Sequence, residues 1–547
     1  MLKRLRIVAP LAAVALIAAA CGGGSGGGNG GGGGNAGGSG GGGGGSTGAA
    51  GGSFSIAIGE PHNLFPPGNC YASECTSVIN QLFTGLVEGV NGKPEMRVAK
   101  SITSSDEVHF DIKLNKGWKF HNGEPVDADA FLRSWNYTAY GPNAQQTSGF
   151  FTQIKGYDAM QGKNPKAKTL SGLQKVNDYE FKVTMIAPFS QFEQSLLYTP
   201  AFAPVSKTCL NNIKACNEGK MPVGDGPYEM ASPWQHNESI TVKKYSAYKG
   251  PDAGKADQIT FKIYTDLSTA FRDWQAGNLD IVAPEPQQVP QAKQAAGDNV
   301  IETSSSDFTY IGLPTYIPYL KNKDVRHALS LAINRKAIIK NLLSGLATPA
   351  QSVVSPIMPG GGGDHCDYCV YNPKKAKALM KQSGVTLPQN IEIWVNSGAG
   401  NDQWVQAVGQ QWKQTFGVNF KLKELQFPQY LDKLGHGEVT GPFRLGWIED
   451  YPSMYDYLQP IYFKNSPSNY MHYDNPQFEQ LVNEGSAASS QSAAIAKYSK
   501  AEDMLIEDMP VIPMYYGKAF YIYSKNVSNV KYDPLYRIDV SQVTVNQ

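Results

Sequence analysis

Asp324-Val325-Arg326-His327-Ala328-Leu329-Ser330-Leu331-Ala332-Ile333-Asn334-Arg335 opens a strongly periodic segment. Val325, Ala328, Leu329, Ala332 and Ile333 recur at the spacing that gathers side chains on one face of an α-helix. The pattern predicts one amphipathic helix over 324–346. Further on, Asn372-Pro373 supplies a cap residue and a first-turn proline for a second helix, which Gly384 closes. Trp404, Ala407, Val408, Gln411 and Trp412 make a third helical face, ended by Gly417, and 418–425 then alternates as a strand. Upstream, 108–114 (VHFDIKL) alternates apolar and polar side chains, as a half-buried strand should. Helices interleaved with strands predict an α/β protein. No repeat of solenoid or propeller period is evident.

The chain has 547 residues, 41% hydrophobic and 17% charged, with a formal net charge of +1. That length is enough for two to four domains' worth of core. A charge near zero lacks the basic footprint of a nucleic-acid binder, and no nucleic-acid partner is expected. Of the 58 glycines, 22 lie between Gly22 and Gly52. Ahead of them, Lys3, Arg4 and Arg6 precede a 14-residue apolar run ending at Ala20. This run is shorter than the roughly 20 residues a membrane span needs, so 1–20 reads as a secretory signal. The glycine-rich segment from 22 to 52 has no apolar side chains to bury and is expected to be a tether, with an rms span of about 30 Å. Removing 1–20 takes three of the 48 positive charges and none of the 47 negative ones, leaving a formal −2. A basic patch would therefore not hold the mature protein to a membrane.

Six cysteines fall in three close pairs: Cys70 with Cys75, Cys209 with Cys216, and Cys366 with Cys369. In an exported protein such pairs read as local disulfides, although six cysteines allow fifteen connectivities. His365-Cys366-Asp367-Tyr368-Cys369 also has metal-ligand residue types, but no second C-x-x-C or H-x-x-x-H completes a four-ligand zinc site. Neither a metal nor a cofactor is expected. Motifs of a nucleophile elbow, a zinc protease, a P-loop and a dinucleotide fold are all missing, so a non-enzymatic role is expected.

Several stretches together resemble the large solute-binding proteins of peptide-type ABC importers. Gln81-Leu82-Phe83-Thr84-Gly85-Leu86-Val87 resembles "lfegLv", and 114–129 (LNKGWKFHNGEPVDAD) resembles "L+.gvkFhdGeplta.D". Val223-Gly224-Asp225-Gly226-Pro227-Tyr228 is similar to "iGTGPY", and Ala276-Gly277-Asn278-Leu279-Asp280 to "aGeiD". The opening stretch 324–335 is similar to "dvRqAlalAiDR", and Gly446-Trp447-Ile448-Glu449-Asp450-Tyr451-Pro452 to "gw.aDypdp". They stand in the family's order. Ala18-Ala19-Ala20-Cys21 likewise resembles the lipobox of bacterial lipoproteins, with Ala18 where that family usually has Leu.

The resemblance implies a two-lobed, periplasmic-binding-protein-like α/β fold with an extra subdomain in the first lobe. Motif order assigns 53–300 and 515–547 to lobe 1, with the extra subdomain at about 77–190, and 301–514 to lobe 2. It implies a monomeric receptor that captures peptides in an interlobe cleft and delivers them to a permease with a separate ATPase. Lipidated Cys21 would anchor it to the outer face of the cell membrane. Asp450 matches the family Asp that receives the ligand amine; its alternative role is to cap a helix opened by Pro452. Arg444 aligns with a family Arg that meets the ligand carboxylate, while a second basic position of the family falls at Leu434. Phe427 aligns with a cleft-wall aromatic, and Trp447 and Tyr310 are further wall candidates, each with a core role as its alternative. The same fold with a nickel chelate, haem or oligosaccharide as ligand, or a secreted hydrolase, are the competing expectations.

Overall fold

The computed structural model of the protein describes residues 51–546, apart from 91, 218–220, 252, 364, 365, 398, 399 and 536. The expected signal segment, Cys21, most of the glycine tether and His365 lie outside the described residues. Eleven strands form the main sheet: β1 (Ser53–Ile58), β2 (Tyr228–Met230), β3 (Ser239–Lys244), β4 (Gln258–Ile263), β5 (Ile281–Val282), β6 (Val300–Gly312), β7 (Ala347–Pro349), β8 (Asn390–Asn396), β9 (Asn419–Leu425), β10 (Phe443–Trp447) and β11 (Val511–Tyr523). Their order is β9-β8-β10-β6-β11-β5-β1-β4-β3-β2, with β7 also paired to β11.

The pairs of β1 with β4 and of β8 with β9 are parallel, and β6 runs antiparallel to both β10 and β11. Parallel neighbours need a crossover. Helix Asn401–Phe416 supplies the one from β8 to β9, burying Trp404, Val405, Val408 and Trp412. At the centre, β6 and β11 are 13 residues each, and their register shifts between Ser304 and Phe308. Asp307 therefore sits, half-buried, in an irregular stretch where the strand passes from an exposed first half to a buried second half, freed from the ladder's strict alternation.

A separate four-stranded sheet orders Ala99–Thr103, His109–Leu114, Glu180–Thr184 and Leu173–Asn177. Phe110, Ile112 and Leu114 turn inward from the alternating segment, and helix Ala128–Ala139 packs Phe131 and Trp135 toward Phe181. Asp127 caps that helix by accepting from the Ala130 amide at 2.9 Å. Trp135 is fully buried and donates its indole N–H to the Phe202 carbonyl at 3.0 Å, so its one polar atom is satisfied.

The apolar face of 324–335 is buried as its period requires, but the predicted single helix is two, Lys323–Leu331 and Arg335–Leu342. Asn334 breaks it: its side chain accepts from the Ala337 amide at 3.0 Å and starts a new helix. Arg335 turns inward there, donating to Pro513 O at 2.6 Å, Ser330 Oγ at 2.7 Å and Cys369 O at 3.0 Å. The helix Pro373–Ser383 is capped by Asn372 and closed by Gly384 at φ +66°, a left-handed position that glycine adopts without strain. Strand β11 begins at Val511, where its first residues already pair with the end of β6.

The six cysteines meet as the three close pairs, each with its sulfurs at bonding distance. The Cα atoms of Cys70 and Cys75 are 5.9 Å apart, those of Cys209 and Cys216 5.5 Å, and those of Cys366 and Cys369 5.3 Å. Cys75 lies in the first turn of helix Ser73–Leu82, fully buried, so the pair sets that helix start against the preceding loop. Cys216 lies in the short helix Ile213–Asn217 and is half-buried, facing buried Cys209 on Lys207–Asn211. Among the described residues no helix is long and apolar enough to cross a membrane.

Candidate functional site

Where β6, β10 and β11 lie side by side, their side chains, with the chain before helix Ser73–Leu82 and the start of helix Phe427–Gly435, enclose a cavity of about 740 Å³. That volume suits a small organic ligand. Asp450, Arg444, Phe427, Trp447 and Tyr310 all line it, so the structure brings the five sequence-predicted residues to one place.

Asp450 follows the end of β10 and is half-buried. Its carboxyl is held well above the ordinary carboxylate range, first by desolvation and then by the nearby Asp456 charge, with the Tyr71 hydroxyl pulling the other way. Tyr71 donates to Asp450 Oδ2 at 3.3 Å. The Asp450 amide donates to Asp456 Oδ2 at 2.9 Å, and the Trp447 indole donates to that same oxygen at 3.3 Å. The helix-cap alternative does not hold. Pro452 lies in a bend, the helix is Tyr455–Tyr462, and no side chain caps it. Ser453 explains the displacement: it donates to Gln191 Oε1 at 2.7 Å and accepts from the Tyr455 amide at 3.2 Å, tying the loop to a distant segment. The Asp450 side chain is left to the cavity.

Arg444, on β10, donates from Nη1 to Asn396 Oδ1 at 3.3 Å, while its buried Nε has no partner among the described residues. Arg444 lines the cavity, and a guanidinium there is suited to a carboxylate. Leu434, at the family's second basic position, is fully buried and adds no charge. Phe427 is 43% exposed, an apolar surface left uncovered at the cavity wall. Trp447 lines the cavity and is also largely buried, edge-on to Tyr71 at 6.2 Å. Tyr310 is almost wholly buried, 5.4 Å from Phe308 between ring centroids. For these two rings the core and wall roles coincide.

Four further groups at the site were not singled out from the sequence. Tyr71 is one. Asp307 and Arg537 are two more, joined by an ion pair of 3.2 Å. Gly517 allows that approach, since a Cβ there would meet the Asp307 Cβ at 2.9 Å. Glu449 is the fourth, and only it carried a readable signal: a second acid directly beside Asp450.

The family model described as "Bacterial extracellular solute-binding proteins, family 5 Middle" matches residues 93–469. The chain is 28% identical over 489 residues to the oligopeptide-binding protein OppA of Bacillus subtilis, covering 86% of this chain and 88% of that protein. It is 26% identical over 456 residues to the periplasmic oligopeptide-binding protein OppA of Escherichia coli, covering 81% and 82%. Among solved structures, the murein tripeptide binding protein MppA of Escherichia coli superposes with a TM-score of 0.81 at 21% identity, over 92% of this chain and all of that one. Haemophilus influenzae OppA in complex with RPPGFSPFR gives 0.79 at 22% identity, over 90% and 99%. These likenesses establish the fold as the two-lobed mixed α/β architecture of the periplasmic-binding-protein type. With the matched region covering most of the chain, the protein belongs to family 5 of the bacterial extracellular solute-binding proteins.

Proposed function

We propose that the protein is a non-enzymatic receptor that captures peptides in this cavity and delivers them to an ABC permease powered by a separate ATPase. The observation that carries the reading is Asp450. It is a half-buried carboxyl lining the cavity, with a tyrosine hydroxyl but no cation beside it among the described residues. A buried carboxylate lacking a counter-charge is costly, and a ligand ammonium supplies one. A sugar, a haem or a nickel chelate has no such group. Arg444 meets a carboxylate further along the ligand, and Phe427, Trp447 and Tyr310 form a wall that tolerates varied side chains.

In the same reading, 1–20 is a cleaved signal and lipidated Cys21 holds a monomer at the outer face of the membrane through the glycine tether. The three cysteine pairs are disulfides of the exported protein: Cys70 with Cys75, Cys209 with Cys216, and Cys366 with Cys369. Residues 53–300 with 515–547 form one lobe and 301–514 the other, with β6 and β11 passing between them. Ligand binding shifts an open–closed equilibrium that the permease reads.

Native mass spectrometry of protein purified from its own host tests this reading. Retained peptide masses with free amino ends are expected. A retained sugar, haem or metal chelate would overturn the peptide assignment.

A further inference from the structure

Glu449 is 5% exposed, yet neither of its carboxylate oxygens has a hydrogen-bond partner on another described residue. It lines the same cavity as Asp450. Burial drives its carboxyl well above the usual range; the Arg537 guanidinium and its own backbone amide draw it back, and Asp456 and Asp307 push it further up. Each neighbouring group is already engaged. Arg537 pairs with Asp307 at 3.2 Å, Asp456 Oδ2 accepts from Asp450 and Trp447, and the Tyr457 hydroxyl donates to Ser306 O at 2.6 Å.

This end of the cavity therefore gathers Asp307, Glu449 and Asp450, with Asp456 behind them and the Arg537 guanidinium beside Asp307 and Glu449. A ligand α-ammonium at Asp450 offsets a single negative charge and leaves Glu449 without a partner. Buried carboxylates are retained at a cost unless something pairs with them, and no other described residue hydrogen-bonds this one. An uncharged hydrophobic ligand would leave that cost in place.

We infer that Glu449 forms a second cation pocket beside the Asp450 carboxylate and selects peptides with a basic side chain, of the lysine, ornithine or arginine kind, at the first or second residue. This rests on the peptide-receptor reading and narrows its substrate class. The chemistry recognised is an ammonium or guanidinium on a short alkyl stem, close to the free amino end.

Calorimetric titration of the full chain with tetra-alanine, with lysine placed at position 1, 2 or 4, and with norleucine at the same positions, tests the inference. Norleucine keeps the stem and removes the charge. At position 1 or 2, lysine is expected to bind about tenfold or more tighter than norleucine, and at position 4 about equally. In Glu449→Gln the ratio of lysine to norleucine affinity at position 1 or 2 should shrink to about twofold or less. A lysine gain equal at all positions, or one that survives in Glu449→Gln, would overturn the pocket. If Glu449→Gln melts early and cannot be titrated, the position dependence in the unaltered protein still decides. Tetra-alanine binding without any lysine gain removes the pocket and leaves the peptide reading intact. Failure of every peptide to bind removes both.

Discussion

The backbone amide of Asp450 donates to Oδ2 of Asp456 across 2.9 Å, and this ties the cavity's leading carboxylate to a second buried acid six residues on. Burial raises both carboxyls from their ordinary value of 3.8, and the Asp456 charge raises Asp450 further. A carboxyl raised in the fold holds a proton that the unfolded chain has already lost. The pair's contribution to stability is therefore fullest near and below the ordinary value and declines as pH rises toward the folded value. A ligand ammonium favours the ionised form and reverses the balance. Binding of a free-amine peptide should release protons at pH values above the ordinary 3.8 and below the raised folded value, and its affinity should rise with pH across that window. Calorimetry in buffers of differing ionisation enthalpy measures this; no proton release, or proton uptake, would contradict it.

Asp456→Ala removes the acceptor of both the Asp450 amide and the Trp447 indole. Two buried donors are then left unpaired, at about 1–3 kcal/mol each. A lower unfolding midpoint and weaker binding of free-amine peptides are expected together. If stability falls and binding does not, Asp456 does not position Asp450.

Tyr71→Phe keeps the ring against Trp447 and Tyr198 but deletes the hydroxyl donated to Asp450. Loss of one hydrogen bond to a charged acceptor predicts a fall in affinity of about tenfold, with little change in melting temperature. An unchanged affinity would mean the hydroxyl plays no part once ligand is bound.

Arg444→Gln tests the far end of the ligand. Peptides with a free carboxyl terminus should lose about tenfold in affinity, and their amidated counterparts much less. Equal loss for both would make Arg444 a structural strand residue.

The elements that were legible in the sequence are those whose periodicity and termini agree, such as the helix bounded by Asn372 and Gly384 and the alternating strand His109–Leu114. The helix over 324–346 misled because apolar spacing runs smoothly through Ile333, whereas Asn334 caps a new start and Arg335 seeks carbonyls on other elements. Motif order located Asp450 and its four companions because their setting is a local strand and loop. Tyr71, Asp307 and Arg537 were invisible for the opposite reason. They reach the cavity from segments hundreds of residues apart, and Asp307 does so only through a register shift that no local pattern encodes.

The claim on which the account depends is that Asp450 receives a ligand ammonium. Calorimetry with matched free-amine and N-acetylated peptides, on the unaltered protein and on Asp450→Ala, tests it most directly. The account predicts that the substitution weakens the free-amine peptide by about thirtyfold or more and the acetylated one by no more than about threefold. An equal loss for the two peptides would contradict it.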